Sequence, residues 1–167
     1  MNILVAPIAS WDPQSVPQYP HLGAFQAHRK FHIHEGVDLY TTEHAPVFAM
    51  EDGVVLDVRA FTGDALGHTW WNNTDAVYVH GNSGIVVYGE LVPMGVHKGG
   101  YVRRGEQIGC VARVLKKNKG RPMDMLHLEL RDPRHSNALS VFEWSHGLEK
   151  PVWHLDPTPL LMSIPKK

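Results

Sequence analysis

Short runs of β-prone residues, separated by turn-forming residues, constrain the fold of this chain more than any other feature. The 167 residues include 15 glycines and 12 prolines, which interrupt the chain too often for long helices. No segment carries the 3.6-residue apolar period of an amphipathic helix. A short helix is expected at 140–145 and a turn after Pro157. Runs of β-branched and aromatic residues predict strands at 36–40, 46–50, 53–61, 76–80, 84–91, 107–114 and 125–131. The sequence therefore predicts a mainly β protein with little helix.

The length of the chain suits one domain and leaves little room for two separate cores. Residues 1–30 are rich in proline, glutamine and histidine and predict an irregular N-terminal segment, followed by a single β domain over 31–162. Within that domain, Asn82 and Ser83 between two glycines indicate a tight hairpin. Residues 62–75 predict a longer excursion from the sheet.

The charge balance excludes several classes of partner. With 16 basic and 17 acidic side chains, the chain has no dominant basic field that would bind nucleic acid or an anionic membrane. No apolar run approaches the roughly 20 residues of a membrane span. The single cysteine, Cys110, excludes an internal disulfide. Nothing in the sequence sets the oligomeric state, and a monomer is the default expectation.

The apolar run at 3–8 lacks both a basic flank and a small-residue cleavage site, so it does not predict a secretory signal. The expected location is therefore cytoplasmic or phage-borne. If the chain is the trimmed mature form of a longer protein, targeting to the cell wall is expected instead.

The segment at 32–39 contains His34 and Asp38, whose side chains are suitable ligands for a divalent ion such as zinc. On a straight strand the two residues would point the same way but lie roughly 13 Å apart. They can share one ion only if the chain bends between them, which Gly36 permits. The pattern alone also fits a histidine that binds no metal and is solvated or hydrogen-bonded locally.

Strict alternation over 125–131 places three leucines on the core side of a strand and His127 and Glu129 on the other side. His127 is then either a rigidly held metal ligand or a histidine whose hydrogen bond is to a backbone carbonyl. Glu129 could orient the imidazole of His127 as a hydrogen-bond acceptor, or could be a surface carboxylate.

Taken together, these segments resemble a known family, the M23 peptidases, which are lysostaphin/LytM-type zinc endopeptidases that cut peptidoglycan cross-bridges. The resemblance implies a single-domain antiparallel β-sandwich of the LytM/lysostaphin type, with a duplicated hybrid motif. It extends from about residue 30 to 160 and includes, in the order of the family, segments 34–38, 46–55, 80–89, 100–109, 125–131 and 155–160.

Residue by residue, the resemblance implies that His34, Asp38 and His127 hold Zn²⁺. Two imidazoles and one carboxylate, with a fourth position open, form the ligand set expected of a hydrolytic zinc. The implied partner is a peptide or peptidoglycan substrate.

Two positions depart from the pattern of the family. The histidines that the family uses as general base and as oxyanion stabiliser are Glu90 and Met125 in this chain. A methionine cannot donate a proton. Glu90 could serve as general base, could close the metal site as a fourth ligand, or could be a hairpin residue without a role.

Three further residues have open roles. His32 could supply the missing imidazole, act as an alternative ligand, or be idle. Trp70 and Trp71 could form an aromatic wall for a peptide or could be packing anchors.

Three functions compete on the sequence. The first is a zinc-dependent metalloendopeptidase that acts on peptide bonds of peptidoglycan cross-bridges, with Glu90 as general base. The alternative is a degenerate, non-catalytic zinc-binding module that binds a peptide or protein partner. The third is a phosphocarrier of the glucose-permease IIA type, which has a segment similar in sequence to 34–38. The strand at 125–131 and the proline-rich ending fit this type of protein poorly.

Overall fold

A computed structural model describes residues 3–167, and most of the regular structure in this range is strand. Helices in the described range are short: the 3₁₀ turns Pro13–Ser15 and Asp64–Leu66, and the α-helix α1, Thr158–Met162. None of them is long and apolar enough to cross a membrane. The strands are β1 (Val37–Tyr40), β2 (Pro46–Phe48), β3 (Gly53–Thr62), β4 (Thr74–Gly81), β5 (Gly84–Pro93), β6 (Tyr101–Val102), β7 (Gln107–Val111), β8 (Met125–Arg131) and β9 (His154–Leu155).

The strands form one antiparallel sheet in the hydrogen-bonded order β1-β8-β5-β4-β3-β6. Beyond this path, β9 pairs with β8 and β2 pairs with β7, while β7 also pairs with the end of β5. The prediction of a mainly β, antiparallel fold with little helix is confirmed. Strands β5 and β8 are central in this order, so residues on them are held from both sides.

Successive side chains along the central strands point alternately to the two faces of the sheet, and each face has its own apolar cluster. The larger cluster includes side chains that are almost completely buried, among them Val77, Val79, Val86, Tyr88, Leu126 and Leu128. The residues between them on β4 and β5 face a smaller cluster that contains Ala76, Tyr78, Ile85 and Val87. Both faces of the centre of the sheet are therefore covered, which makes this region a rigid support for side chains at its edge.

The N-terminal segment is part of the main core although its backbone is irregular. Ile8, Trp11 and Phe25 lie in the large apolar cluster, each at most 7% exposed. The indole of Trp11 donates to the carbonyl of Ile164 at 3.2 Å, which ties the segment to the end of the chain. Over 3–30 the backbone is irregular apart from the 3₁₀ turn Pro13–Ser15, while the division of the chain into 1–30 and 31–162 stays a prediction.

The prediction of a helix at 140–145 is wrong. The backbone of this segment bonds to distant parts of the chain instead of forming helical i→i−4 bonds. The amide of Trp144 donates to the carboxylate of Glu35, and its carbonyl accepts from the amide of Ile33 at 2.8 Å. These tertiary bonds stabilise an irregular course that local propensity does not predict.

The predicted hairpin at Asn82 and Ser83 is confirmed, since β4 ends at Gly81 and β5 begins at Gly84. The excursion is also present, between β3 and β4, and holds the Asp64–Leu66 turn. Strands β6 and β9 were not predicted, because two residues are too few to show an alternating pattern.

Candidate metal centre

Two predicted ligands are direct neighbours across the β1–β8 pair, where Asp38 lies opposite His127. Side chains in directly opposite positions of an antiparallel pair have Cβ atoms about 5 Å apart. His34 lies outside the strand, since β1 begins only at Val37. A bend before β1 therefore has to bring His34 to the same point.

Gly36 allows this bend because the chain passes very close to β8. A Cβ atom on Gly36 would lie 2.5 Å from the carbonyl oxygen of Leu128 and 2.9 Å from Nε2 of His127. Real Cβ atoms do not approach backbone this closely, so a side chain at this position would push β1 away from β8. The convergence of His34 and Asp38 thus depends on the absence of a side chain at residue 36.

The three predicted ligands meet at one buried point. Nε2 of His34 lies 3.1 Å from Oδ1 of Asp38 and 3.1 Å from Nδ1 of His127, and that Nδ1 lies 3.0 Å from the same carboxylate oxygen. Each residue is at most 6% exposed, and the three form a group whose ligand atoms all lie within 4.8 Å of one another.

The residues fit a zinc ion. With bonds of 2.0–2.1 Å, ligand atoms around a tetrahedral zinc are separated by about 3.3 Å. The separations of 3.0–3.1 Å among His34, Asp38 and His127 need to open by only a few tenths of an ångström. Two imidazole nitrogens and one carboxylate oxygen leave a fourth position for water or substrate.

Outer contacts fix the orientation of both imidazoles. Nδ1 of His34 lies 2.9 Å from the carbonyl oxygen of Ala24. Nε2 of His127 lies 3.0 Å from Oε1 of Glu129, which in turn accepts from Nε of Arg131 at 2.8 Å through Oε2. In each histidine one nitrogen is used in this way and the other faces the shared point, as is usual for metal-binding histidines.

The proximity of the three groups shifts their pKa values. Burial alone would lower the pKa of His127, but hydrogen bonds to Asp38 and Glu129 outweigh it and raise this pKa to about 10. Burial opposes the ionisation of Asp38 as well, yet the two imidazoles and the Arg29 guanidinium hold its pKa well below the usual range. For His34, burial dominates and lowers the pKa. Asp38 is therefore ionised and ready to bind a cation.

His154 lies behind this network, on β9 opposite Arg131, and is completely buried. Burial lowers the pKa of His154 from its ordinary 6.5 to about 4, although the Glu129 carboxylate opposes the shift. The unfolded chain therefore binds a proton at His154 that the folded chain does not bind between about pH 6.5 and 4. We expect this single group to remove about 3 kcal/mol from the free energy of unfolding as pH falls through that window.

The measurement is urea denaturation from pH 7.5 to 4.0 for the wild type and His154→Phe, which keeps a ring beside Phe142 and Trp153. The variant is expected to lose less stability toward low pH, with a difference of about 3 kcal/mol at pH 4. His80→Gln, at an exposed imidazole, is the matched control and should follow the wild type. Parallel curves for wild type and His154→Phe would contradict the prediction.

The position of Glu90 is determined by a change in the pairing of β5 within the sheet. Gly89 pairs with His127, and beyond this point β5 leaves β8 and pairs with β7. On the other side of β5, Gly89 and Glu90 oppose the single β4 residue Ala76, so the strand is bulged there. Glu90 has a φ of 61°, which is uncommon for a residue with a side chain and is concentrated at functional sites.

The bulge directs the carboxylate of Glu90 into the cleft beside Asp38. Within the described part of the chain, Oε2 of Glu90 is buried and has no hydrogen-bond partner. Burial, followed by the charge of Asp38, raises the pKa of Glu90 to about 7. A buried carboxylate oxygen without a partner, close enough to Asp38 and His127 to interact with their charges, is available for a molecule bound in the cleft.

The cleft has a volume of about 930 Å³ and combines residues from distant parts of the sequence. Trp70 is 61% exposed there, and Met125 presents only a thioether. Four other residues singled out in the sequence also line it, namely His32, Trp71, Glu90 and Asp38, whereas His34, His127 and Glu129 are not part of its wall. The structure thus places the lining residues at one site, while their roles stay predictions.

Several polar residues of the centre were not predicted. Arg131 continues the alternation of His127 and Glu129, so the strand pattern could have included it. Arg29, which donates to Asp38, lies in the irregular segment and carries no periodic signal. Glu35 was noted only as part of its motif, and burial followed by the charge of Glu129 raises its pKa to about 8.

Comparison with known proteins places this site in a family. The model of peptidase family M23 matches residues 32–139, which include all three predicted ligands and Glu90. The chain belongs to peptidase family M23. No match was found among curated proteins.

Solved structures share the M23 fold at low sequence identity. The catalytic domain of lysostaphin from Staphylococcus simulans is 20% identical with a TM-score of 0.59, over 93% of this chain and 99% of that domain. CbpA from L. salivarius REN is 18% identical with a TM-score of 0.57, over 95% of this chain and 94% of the other. Against lysostaphin determined in solution, this chain is 18% identical with a TM-score of 0.52, over 99% of its own length and 53% of that chain. These similarities describe the fold of the M23 domain.

Proposed function

We propose that this M23 protein is a zinc-dependent endopeptidase in which His34, Asp38 and His127 hold the metal and Glu90 is the general base. The observation that carries the proposal is the buried, unpartnered Oε2 of Glu90 in the same cleft as Asp38. Membership of a peptidase family and the ligand geometry support it.

The chemistry divides between the metal and the protein. Zinc, when bound, supplies the Lewis acidity that polarises a carbonyl group and acidifies water. Glu90 takes a proton from the attacking water while the oxygen of that water bonds to the scissile carbonyl carbon. The same proton passes to the amine nitrogen as the carbon–nitrogen bond breaks, so Glu90 returns to its ionised state. His34 and His127 stay oriented through their outer hydrogen bonds to Ala24 and Glu129.

The proposed substrate is a peptide, in the form of the cross-bridges of peptidoglycan. Two observations support an extended peptide ligand: the cleft is about 930 Å³ in volume, and its wall carries exposed aromatic side chains, with Trp70 61% and Phe31 73% exposed. The fold similarity to the antimicrobial peptidase lysostaphin directs the choice toward cell-wall peptides.

The deciding experiment replaces Glu90 with glutamine, which keeps the size of the side chain and removes its basicity. Zinc-loaded wild type and Glu90→Gln are incubated with purified peptidoglycan and with synthetic bridge peptides, and the products are identified by mass spectrometry. We expect kcat/KM to fall by about 10²–10⁴. Zinc content should stay at one ion per chain.

Glu149→Gln, at an exposed carboxylate outside the cleft, is the matched control and should retain wild-type activity. Unchanged hydrolysis by Glu90→Gln would exclude Glu90 as the base. Loss of zinc from this variant would instead make Glu90 a fourth ligand that closes the site.

The presence of a methionine at position 125 supports a second candidate function. Met125 occupies the cleft and cannot donate a hydrogen bond to a reacting group. The alternative is a non-catalytic zinc-binding module that uses the same cleft to bind a peptide or protein. Wild-type chain that carries zinc, binds bridge peptides and releases no product would establish this function in place of hydrolysis.

A further inference from the structure

The backbone turns back on itself between Gln26 and His34, and this hairpin carries one predicted ligand and two cations, Arg29 and Lys30. The amide of Gln26 donates to the carbonyl of His34, and the amide of His34 donates to Ala27, both at 2.9 Å. At the tip, the amide of Arg29 donates to the carbonyl of His32 at 3.0 Å. Arg29 and His34 are therefore held on one small structural unit.

The side chain of Arg29 is directed to the centre from this hairpin. Its Nη2 donates to Oδ2 of Asp38, and its Nε donates to the carbonyl of Leu22 at 3.0 Å. The other oxygen of the same carboxylate, Oδ1, is the one that approaches His34 and His127. Asp38 thus presents one oxygen to the metal position and the other to a guanidinium group.

Arg29 has further donors to offer. A guanidinium group carries five N–H bonds. Among the described residues, its hydrogen bonds engage only Nε and Nη2. The side chain is 27% exposed and lines the cleft together with Glu90 and Met125. Its remaining donors are accessible to a molecule bound there.

Peptide hydrolysis needs such a donor. Attack of water on the carbonyl carbon places negative charge on the carbonyl oxygen, and fixed donors or cations aimed at that oxygen give large rate effects. Glu90 is an acceptor in this reaction, and Met125 has no N–H or O–H group. Arg29 is a cation held in place by two hydrogen bonds beside the proposed metal position.

We propose that Arg29 is a catalytic residue of this chain, whose guanidinium donates to the oxyanion that forms beside the metal centre. This inference rests on the proposed function for its role in hydrolysis. Its physical content, an anion contact between Arg29 and a tetrahedral oxyanion in the cleft, can be measured without turnover.

The probe is inorganic phosphate, a tetrahedral oxyanion, titrated calorimetrically into the zinc-loaded full chain. We expect Arg29→Met to weaken phosphate binding at least about tenfold, and Arg29→Lys, which keeps the charge, to weaken it less. Arg103→Met makes the same replacement at an exposed residue outside the cleft and is the matched control. It should bind phosphate as the wild type does.

Zinc affinity separates this role from simple positioning of Asp38. A residue that only orients a ligand costs about 10–100-fold in metal affinity when replaced. Such a loss, with unchanged phosphate binding at saturating zinc, would overturn the proposal. So would phosphate binding that is weakened equally in Arg103→Met and in Arg29→Met.

Hydrolysis provides the second readout. Arg29→Met is expected to lower kcat by about 10²–10³ with KM nearly unchanged. Added guanidinium ion should restore part of the rate, which would not occur if the variant were merely misfolded. If the wild type cleaves no peptide but phosphate binding still depends on Arg29, the proposed function fails and the anion contact stands. If the wild type cleaves peptide and Arg29→Met keeps both rate and phosphate affinity, the proposed function stands and this inference fails.

Discussion

Replacing His127 with alanine, or removing zinc with a chelator, is expected to abolish the peptide hydrolysis proposed for this chain. His127 offers one of three candidate ligand atoms at a point where Asp38 and His34 offer the others, 3.0 and 3.1 Å away. Two remaining ligands hold zinc too weakly to keep the ion in place, and without it neither the water nor the carbonyl is activated. Zinc content is measured by plasma mass spectrometry after dialysis, and hydrolysis by product release from bridge peptides.

The control for this experiment is His80→Ala, which removes an exposed imidazole at the β4–β5 hairpin and should keep both zinc and activity. Adding zinc back to the chelated wild type should restore hydrolysis, whereas His127→Ala should stay inactive at the same zinc concentration. A His127→Ala variant that still holds one zinc per chain would show that the ion binds elsewhere.

The fold was largely predictable because the signals for it are local. Alternation over 125–131 predicted β8 with its bounds unchanged, and the paired glycines predicted the hairpin at Asn82 and Ser83. The segment 140–145 was mispredicted because its course is fixed by hydrogen bonds to Ile33 and Glu35, which no local pattern reveals.

The candidate site also combines residues that the sequence indicates with features that only the tertiary structure shows. The resemblance to M23 peptidases pointed to His34, Asp38 and His127, and the structure brings these residues together. The reason that they can converge is steric and lies in the approach of Gly36 to β8, which sequence spacing cannot show. Arg29 was invisible in the sequence because it reaches the site from an irregular segment through tertiary contacts alone.

Glu90 illustrates why a motif position needs structural context. The sequence left open whether this residue is a base, a ligand or an exposed hairpin residue. The bulge at Gly89 and Glu90, with a φ of 61° at the latter, leaves one carboxylate oxygen buried, which does not fit a solvated hairpin residue, while the role of Glu90 stays a prediction. An unfavourable backbone conformation that holds a polar group without a partner is more consistent with a functional requirement than with packing.

Arg131→Met is expected to cause the largest loss of stability among single substitutions around the centre. Arg131 is 2% exposed and donates to Glu129 through Nε at 2.8 Å, while Nη1 donates to the carbonyls of Ala138 and Ser140 at 3.0 and 2.9 Å. Its removal leaves the Glu129 carboxylate buried without its guanidinium partner and leaves two carbonyls without a donor. Breaking a buried ion pair from one side costs about 3–5 kcal/mol.

Two measurements follow from this geometry. Urea denaturation should show the loss of about 3–5 kcal/mol for Arg131→Met. Calorimetric titration should show zinc affinity lowered by about 10–100-fold, because Glu129 no longer holds His127 in one orientation. Arg134→Met is the matched control, since Arg134 pairs with Asp132 at the surface, where ion pairs contribute little.

The double variant Glu129→Gln, Arg131→Met distinguishes an unpaired charge from a lost packing contact. If the unpaired carboxylate is the cause, replacing Glu129 with its neutral isostere should recover a large part of the stability lost in Arg131→Met, because removing both charges of a buried pair costs far less than removing one. Zinc affinity should recover less, since a neutral amide orients the imidazole of His127 less strongly than a carboxylate does. A double variant as unstable as the sum of the two single variants would show instead that the Arg131 side chain stabilises the fold through its packing and its bonds to Ala138 and Ser140.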